Sequence, residues 1–213
     1  MKRIFFSLAL LLAVTTLAAQ TNMTAREAAV KIADRILAST TYEFKNTKTG
    51  ETYKSVKKLP LDMNVKVACK YNNWHYTNGV TNMALMELGD KLADKKYEKY
   101  VLKNMNFVFN EGNLEFFRKQ YDEAFKQDGW NAVRKLSWHM IFRGKRLDDN
   151  GPMGASLIEL QMRYPNQSFL DYVNETAEHL NYGEPRLVDG TIARIWPHVN
   201  TIWADDALSL IHI

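Results

Sequence analysis

Through most of this chain apolar residues recur every three or four positions, and the breaks between runs carry Gly, Asn, Asp or Pro. From Trp74 onward this pattern predicts helices over 76–92, 95–109, 113–126, 130–141, 151–163 and 167–180, joined by short connections. An earlier helix is announced by Thr24-Ala25-Arg26-Glu27, a capping box in which hydroxyl and carboxylate satisfy each other's backbone N–H. Ala28, Ala29, Ile32, Ala33, Ile36 and Leu37 follow it at helical spacing. Residues 40–73, with Gly50 and Pro60, hold neither period and read as a long connection with a short extended piece. No strand-type alternation is found after residue 74, so the expectation is an all-α chain of consecutive helical hairpins.

The hairpins repeat. Asn78-Gly79 and Asn150-Gly151 begin two segments in which Leu85, Glu87 and Leu88 align with Leu157, Glu159 and Leu160 at a constant offset of 72 residues. The register continues into the next helix, where Tyr97, Tyr100 and Val101 align with Phe169, Tyr172 and Val173. Repeated helical hairpins stack into an open solenoid or close into an α/α toroid. A Gly near each helix start permits close approach of a ligand or of a neighbouring backbone.

Composition narrows the setting. Lys2 and Arg3 precede an apolar run from Ile4 to Leu17, and Ala18-Ala19 offers small residues for cleavage. This is the pattern of a secretory signal peptide over residues 1–19, too short for a membrane span. The product is expected to be exported, periplasmic or secreted. Cys69 is the only cysteine, so no internal disulfide can form and a hydrophobic core must hold the chain. Removing Lys2 and Arg3 lowers the net charge from +4 to about +2, with basic residues scattered, and nothing points to nucleic acid. The 12% aromatic content suits a carbohydrate site and a packed core equally.

Two acidic motifs are candidates for chemistry: Leu147-Asp148-Asp149-Asn150-Gly151 and Trp203-Ala204-Asp205-Asp206. Each sets adjacent carboxylates among apolar, aromatic or Gly neighbours. A carboxylate held against such surface has its proton affinity raised, which suits acid/base work near neutral pH. The competing reading is that both motifs are helix N-caps, for which Asp is a preferred residue. No metal-ligand spacing is present, and no cofactor is expected.

Taken in order, Trp74-His75-Tyr76-Thr77-Asn78-Gly79, Ala84-Leu85, Lys96-Tyr97, Leu147-Asp148-Asp149-Asn150-Gly151 and Trp203-Ala204-Asp205-Asp206 resemble glycoside hydrolase families 88 and 105. These are the unsaturated glucuronyl and rhamnogalacturonyl hydrolases. The resemblance implies an (α/α)6 barrel over 74–207, with residues 20–73 preceding it. It implies a partner that is an oligosaccharide ending in a Δ4,5-unsaturated uronic acid, of pectin or glycosaminoglycan origin. The implied reaction hydrates the C4=C5 bond: an acid protonates C4, a water activated by a carboxylate adds at C5, and the hemiketal rearranges to release the sugar. Carried over by motif, Asp205 is the general acid/base, and Asp149 assists proton transfer and tunes its partner. Asp148 and Asp206 rank second. Trp74, Tyr76, His198 and Trp203 are expected to line the sugar site. His75 reads as a hydrogen-bonded helix-start residue. Arg143 and Arg146 can pair a uronate carboxylate, with a solvated face or a salt bridge to Asp148 as the plainer reading.

The chain departs from the family after Ala207, where more barrel helices are expected. Leu208-Ser209-Leu210-Ile211-His212-Ile213 is the hexapeptide encoded by CTG TCT CTT ATA CAC ATC, a sequencing-adapter end. Residues 208–213 are therefore expected to be a non-native tail on about the first half of the toroid, and such a fragment is expected to be inactive. Two other readings stay open: a non-catalytic α-helical binding module whose acids are caps, and another (α/α)6 enzyme such as a polysaccharide lyase.

Overall fold

A computed structural model describes residues 23–136, 138–143, 147–194 and 198–201, apart from the side chains of residues 148–150. The chain divides into two compact units after Arg35. Helix α1 (Ala25–Ser39) opens in the first unit. Its capping box forms as the sequence predicts: Thr24 N donates to Glu27 Oε2 at 2.9 Å, and Glu27 N donates to Thr24 Oγ1 at 3.2 Å.

In the second unit, residues 40–73 hold more order than their sequence suggests. Strands β1 (Phe44–Asn46), β2 (Thr52–Tyr53) and β3 (Val65–Val67) form an antiparallel sheet in the order β2-β1-β3. Asn46 builds the β1–β2 turn, its Oδ1 accepting from Lys48 N and Thr49 N, and Gly50 closes it at φ +80°. Phe44 projects from β1 into a ring cluster with Phe107, Phe116 and Phe117.

The helices that follow are α2 (Tyr76–Leu92), α3 (Lys96–Val108), α4 (Glu111–Val133), α5 (Met140–Arg143), α6 (Leu147–Arg163) and α7 (Gln167–Glu178), the last running into a π-turn over His179–Gly183. The second unit is thus mainly helical. One expected helix, over 130–141, is absent as a single element. Helix α4 breaks at Asp128 and Gly129 and resumes only to Val133. The chain then turns, burying Leu136 and Trp138 in the core, before α5 begins. Gly129 stands at φ +51°, ψ −134°, a conformation that only glycine adopts freely.

The 72-residue repeat has a structural counterpart. Helices α2 and α6 lie side by side and parallel. Gly79 meets the backbone of Pro152 near their starts, and Asp90 meets Arg163 near their ends, both pairs 73 residues apart. A Cβ on Gly79 would come within 2.3 Å of the Pro152 carbonyl carbon, so only glycine allows this approach. Helices α3 and α7 return against α2 and α6, respectively, and the aligned Tyr97 and Phe169 are both fully buried. At the C-terminal ends a charged clamp ties the pair together. Arg163 donates to Asp90, to Glu98 at 3.0 Å and to Glu159, while Tyr164 Oη donates to Glu98 at 2.7 Å.

Candidate active site

The opposite, N-terminal ends of α2 and α6 carry two of the motifs that the sequence singles out, Trp74–Gly79 and Leu147–Gly151. His75 caps α2. Its Nδ1 accepts from Thr77 N at 3.4 Å and lies 2.9 Å from Thr77 Oγ1, the helix-start role expected for it. Its ring packs on Tyr76 at 4.6 Å between centroids, and Tyr76 is half exposed at the first position of the helix. Asn78 is buried and fixes the entering loop by donating to the carbonyls of Lys70 and Asn73, each at 2.9 Å.

Helix α6 begins at Leu147, so Asp148 and Asp149 stand in its first turn rather than at the N-cap position before a helix starting at Gly151. The unpaired N–H groups and the dipole of a helix start favour negative charge there, which opposes the raised proton affinity argued from the apolar neighbours. The contact between Gly79 and Pro152 puts Asp149 at the same end of the helix pair as Tyr76.

A cavity of about 470 Å³ opens at this end, lined by Phe142 and Arg143 of α5 and by Tyr172, Glu175, His179 and Tyr182 from α7 and the π-turn, among others. Thr176, also in its lining, stands beside Gly154 in the second turn of α6, where an added Cβ would lie 3.9 Å from its methyl group. His179 Nε2 lies 3.1 Å from Glu184 Oε1. His139 sits nearby with Nδ1 3.0 Å from the Leu136 carbonyl. Burial, more than the positive charge of Arg143 or the proximity of His75, holds its pKa below the ordinary histidine value, so it is neutral at neutral pH. An imidazole, carboxylates, a guanidinium and two tyrosines, Tyr172 partly buried and Tyr182 exposed, make this a setting for binding a ligand and moving protons.

The expected site residues are not all brought together. Trp74 corrects the expectation of a stacking aromatic. It is fully buried, edge-on to Tyr172 at 5.0 Å and to Phe109 at 6.2 Å, and offers no face to a sugar. It borders the cavity only through Tyr172. The reason is its place in the loop before α2, where its ring fills the space between the two returning helices. Tyr76 keeps an exposed ring. His198 is exposed in a turn closed by Arg194 N donating to the Thr201 carbonyl, and its own carbonyl accepts from Thr201 Oγ1 at 2.7 Å. Asp205 and Trp203 lie outside the described residues, and so does the Asp149 side chain. Sequence reasoning missed Tyr172, Glu175 and His179. Their three- and four-residue spacing on a helix was the signal, since it sets them on one face.

Fold and site define a chain of helical hairpins with an aromatic-rimmed cavity, bordered by charged side chains, beside the N-terminal ends of two parallel helices. No protein-family model matches the chain, and a search of curated proteins returns no match.

Proposed function

We propose that this chain belongs to an exported carbohydrate-active hydrolase that removes a Δ4,5-unsaturated uronic acid from the non-reducing end of oligosaccharides left by polysaccharide lyases. The two hairpins are then consecutive units of an (α/α)6 toroid, with α2 and α6 as neighbouring inner helices. One observation carries the reading: the parallel pairing of α2 and α6 sets the Trp74–Gly79 and Leu147–Gly151 motifs at one end, beside a cavity large enough for a sugar ring. Resemblance to families 88 and 105 supplies the chemistry. Asp205 donates a proton to C4, and water activated by a carboxylate adds at C5. The hemiketal at C5 opens to a ketone, and the aglycone leaves C1 as an alcohol. Asp149, at the head of α6, assists that proton transfer and shifts the pKa of its partner. Tyr76 is the stacking aromatic retained from the sequence reading; Trp74 is a packing residue.

The test is loss of ultraviolet absorbance from unsaturated disaccharides of rhamnogalacturonan and glycosaminoglycan type, using protein expressed from the full gene. Turnover of either type supports the reading and identifies the substrate class. Binding without turnover favours a non-catalytic carbohydrate module, and release of new unsaturated ends from intact polysaccharide favours a lyase.

A further inference from the structure

Beside the cavity stands a second aromatic feature that the proposed reaction leaves unused. Tyr121, Phe125 and Trp130 of α4 and Phe142 of α5 form one ring cluster. Tyr121 stacks on Phe125 at 6.3 Å and meets Phe142 edge-on at 5.6 Å; Phe125 meets Trp130 edge-on at 5.7 Å. The inner side of this cluster rests on the core, where Tyr121 packs against buried Ala124, Ala132, Val133 and Leu136. Its outer side does not: Phe125 is 46% and Trp130 47% exposed. The break at Gly129 produces this arrangement, since it turns the chain so that Trp130 stands against Phe125 instead of continuing the helix.

Two guanidinium groups flank the rings. Arg118 lies 4.0 Å over Phe142, and Arg143 lies 5.0 Å over Trp130. Among the described residues Arg118 is exposed and forms no ion pair. Phe142 and Arg143 also line the 470 Å³ cavity, so ledge and cavity are continuous. Asp122 is the carboxylate felt by Tyr121, while Glu175 and Glu178 line the cavity itself. Arg118 therefore lies on the ledge with Asp122, and Arg143 stands where ledge and cavity meet, facing the side lined by Glu175 and Glu178.

We propose that the Phe125–Trp130 ledge, with Arg118 and Arg143, is a subsite for a uronate-bearing residue of an acidic oligosaccharide whose end occupies the cavity. The proposal rests on the reading above for its substrate class. An exposed aromatic ring offers a flat apolar surface to the C–H face of a pyranose. A guanidinium beside it pairs with the C6 carboxylate in two parallel hydrogen bonds, a geometry that lysine does not reproduce. Together they select a charged sugar over a neutral one of the same size.

The probe is saturated trigalacturonate, which lacks the C4=C5 bond and is not consumed. It is titrated into the full chain by calorimetry, with tryptophan fluorescence as a second signal. Maltotriose is the neutral control. Wild-type protein is expected to bind trigalacturonate, with Trp130→Ala and Arg118→Gln each weakening it about tenfold or more and maltotriose binding about tenfold more weakly. Circular dichroism checks folding, and if Trp130→Ala does not fold, Phe125→Ala and Arg118→Gln decide. Absence of binding by folded wild-type protein, equal affinity for maltotriose, or unchanged affinity in the variants overturns the proposal. So does self-association that Trp130→Ala abolishes without any effect on the sugar, because a second copy would then cover the ledge. The two readings fail separately. Binding at the ledge without turnover of an unsaturated uronide overturns the reaction alone. Turnover with binding unaffected by the variants overturns the ledge alone.

Discussion

A hydrogen atom is all the side chain that fits at position 79. Replacing an interior helix glycine with alanine ordinarily stabilises by roughly 1 kcal/mol through propensity. Here the new methyl meets the Pro152 backbone at 2.3–2.5 Å, which neither helix can relieve by a rotamer change. Gly79→Ala is therefore expected to lower stability by about 1–3 kcal/mol, the usual cost of overpacking, measurable by denaturant titration. A stabilised variant would mean that α2 and α6 do not approach this closely. The same scale separates the two aromatics at the helix entrance. Among the described residues the buried Trp74 indole N–H has no partner, so Trp74→Phe removes an unsatisfied donor along with some packing volume. That variant is expected to keep sugar affinity, whereas Tyr76→Ala, which deletes an exposed ring, is expected to weaken it. The reverse order in a binding titration would return Trp74 to the site.

At the scale of elements, α2 and α6 are fastened at both ends by different means, backbone contact at one and charge at the other. Tyr164 and Arg163 hold the Glu98 carboxyl below its ordinary pKa of 4.5, and Arg163 does the same for Asp90, ordinarily 3.8. Because both folded-state values are depressed, their stabilisation is complete above the unfolded values and is lost as pH falls through the folded ones. His139 adds to this loss, beginning below its ordinary 6.5, since burial keeps it neutral in the fold. Arg163→Met is expected to cost about 1–2 kcal/mol at neutral pH after solvent screening. It should also flatten the dependence of stability on pH below about 4.5, while the His139 component, which sets in as pH falls below its ordinary 6.5, stays. Thermal melts of both proteins across that range check the assignment. An unchanged acid limb in the variant would remove the clamp from the account.

For the whole molecule the decisive variants are in the acids. Asp205→Asn keeps shape and a hydrogen-bond acceptor but removes the transferable proton, so in protein from the full gene it is expected to reduce uronide turnover by roughly 10²–10⁴-fold with the fold intact. Asp149→Asn is expected to be comparably severe because paired carboxylates titrate as a unit. Full activity in both would dismiss the mechanism. Most of the helices, their repeat and the break at Gly129 were legible in the sequence, because each is written in local spacing and in the φ that a residue type allows. It also located Tyr76 at a helix start, and set Asp149 just ahead of a helix that begins at Leu147 and so takes Asp149 into its first turn. Strands of two or three residues were too short to display a period, so the sheet that receives Phe44 was illegible. The helix over 130–141 was over-read because Leu136 and Trp138 are apolar at helical spacing, yet their burial comes from the core they enter after the chain turns. Trp74 shows the same limit at one residue, since an aromatic at a helix entrance has the same letter whether it stacks a sugar or fills a core. Packing between distant elements sets α2 parallel to α6 and turns Tyr172, Glu175 and His179 toward one cavity with Arg143. A hydrophobic pattern specifies which face of an element is buried, but the partner that buries it lies dozens of residues away and is chosen by packing.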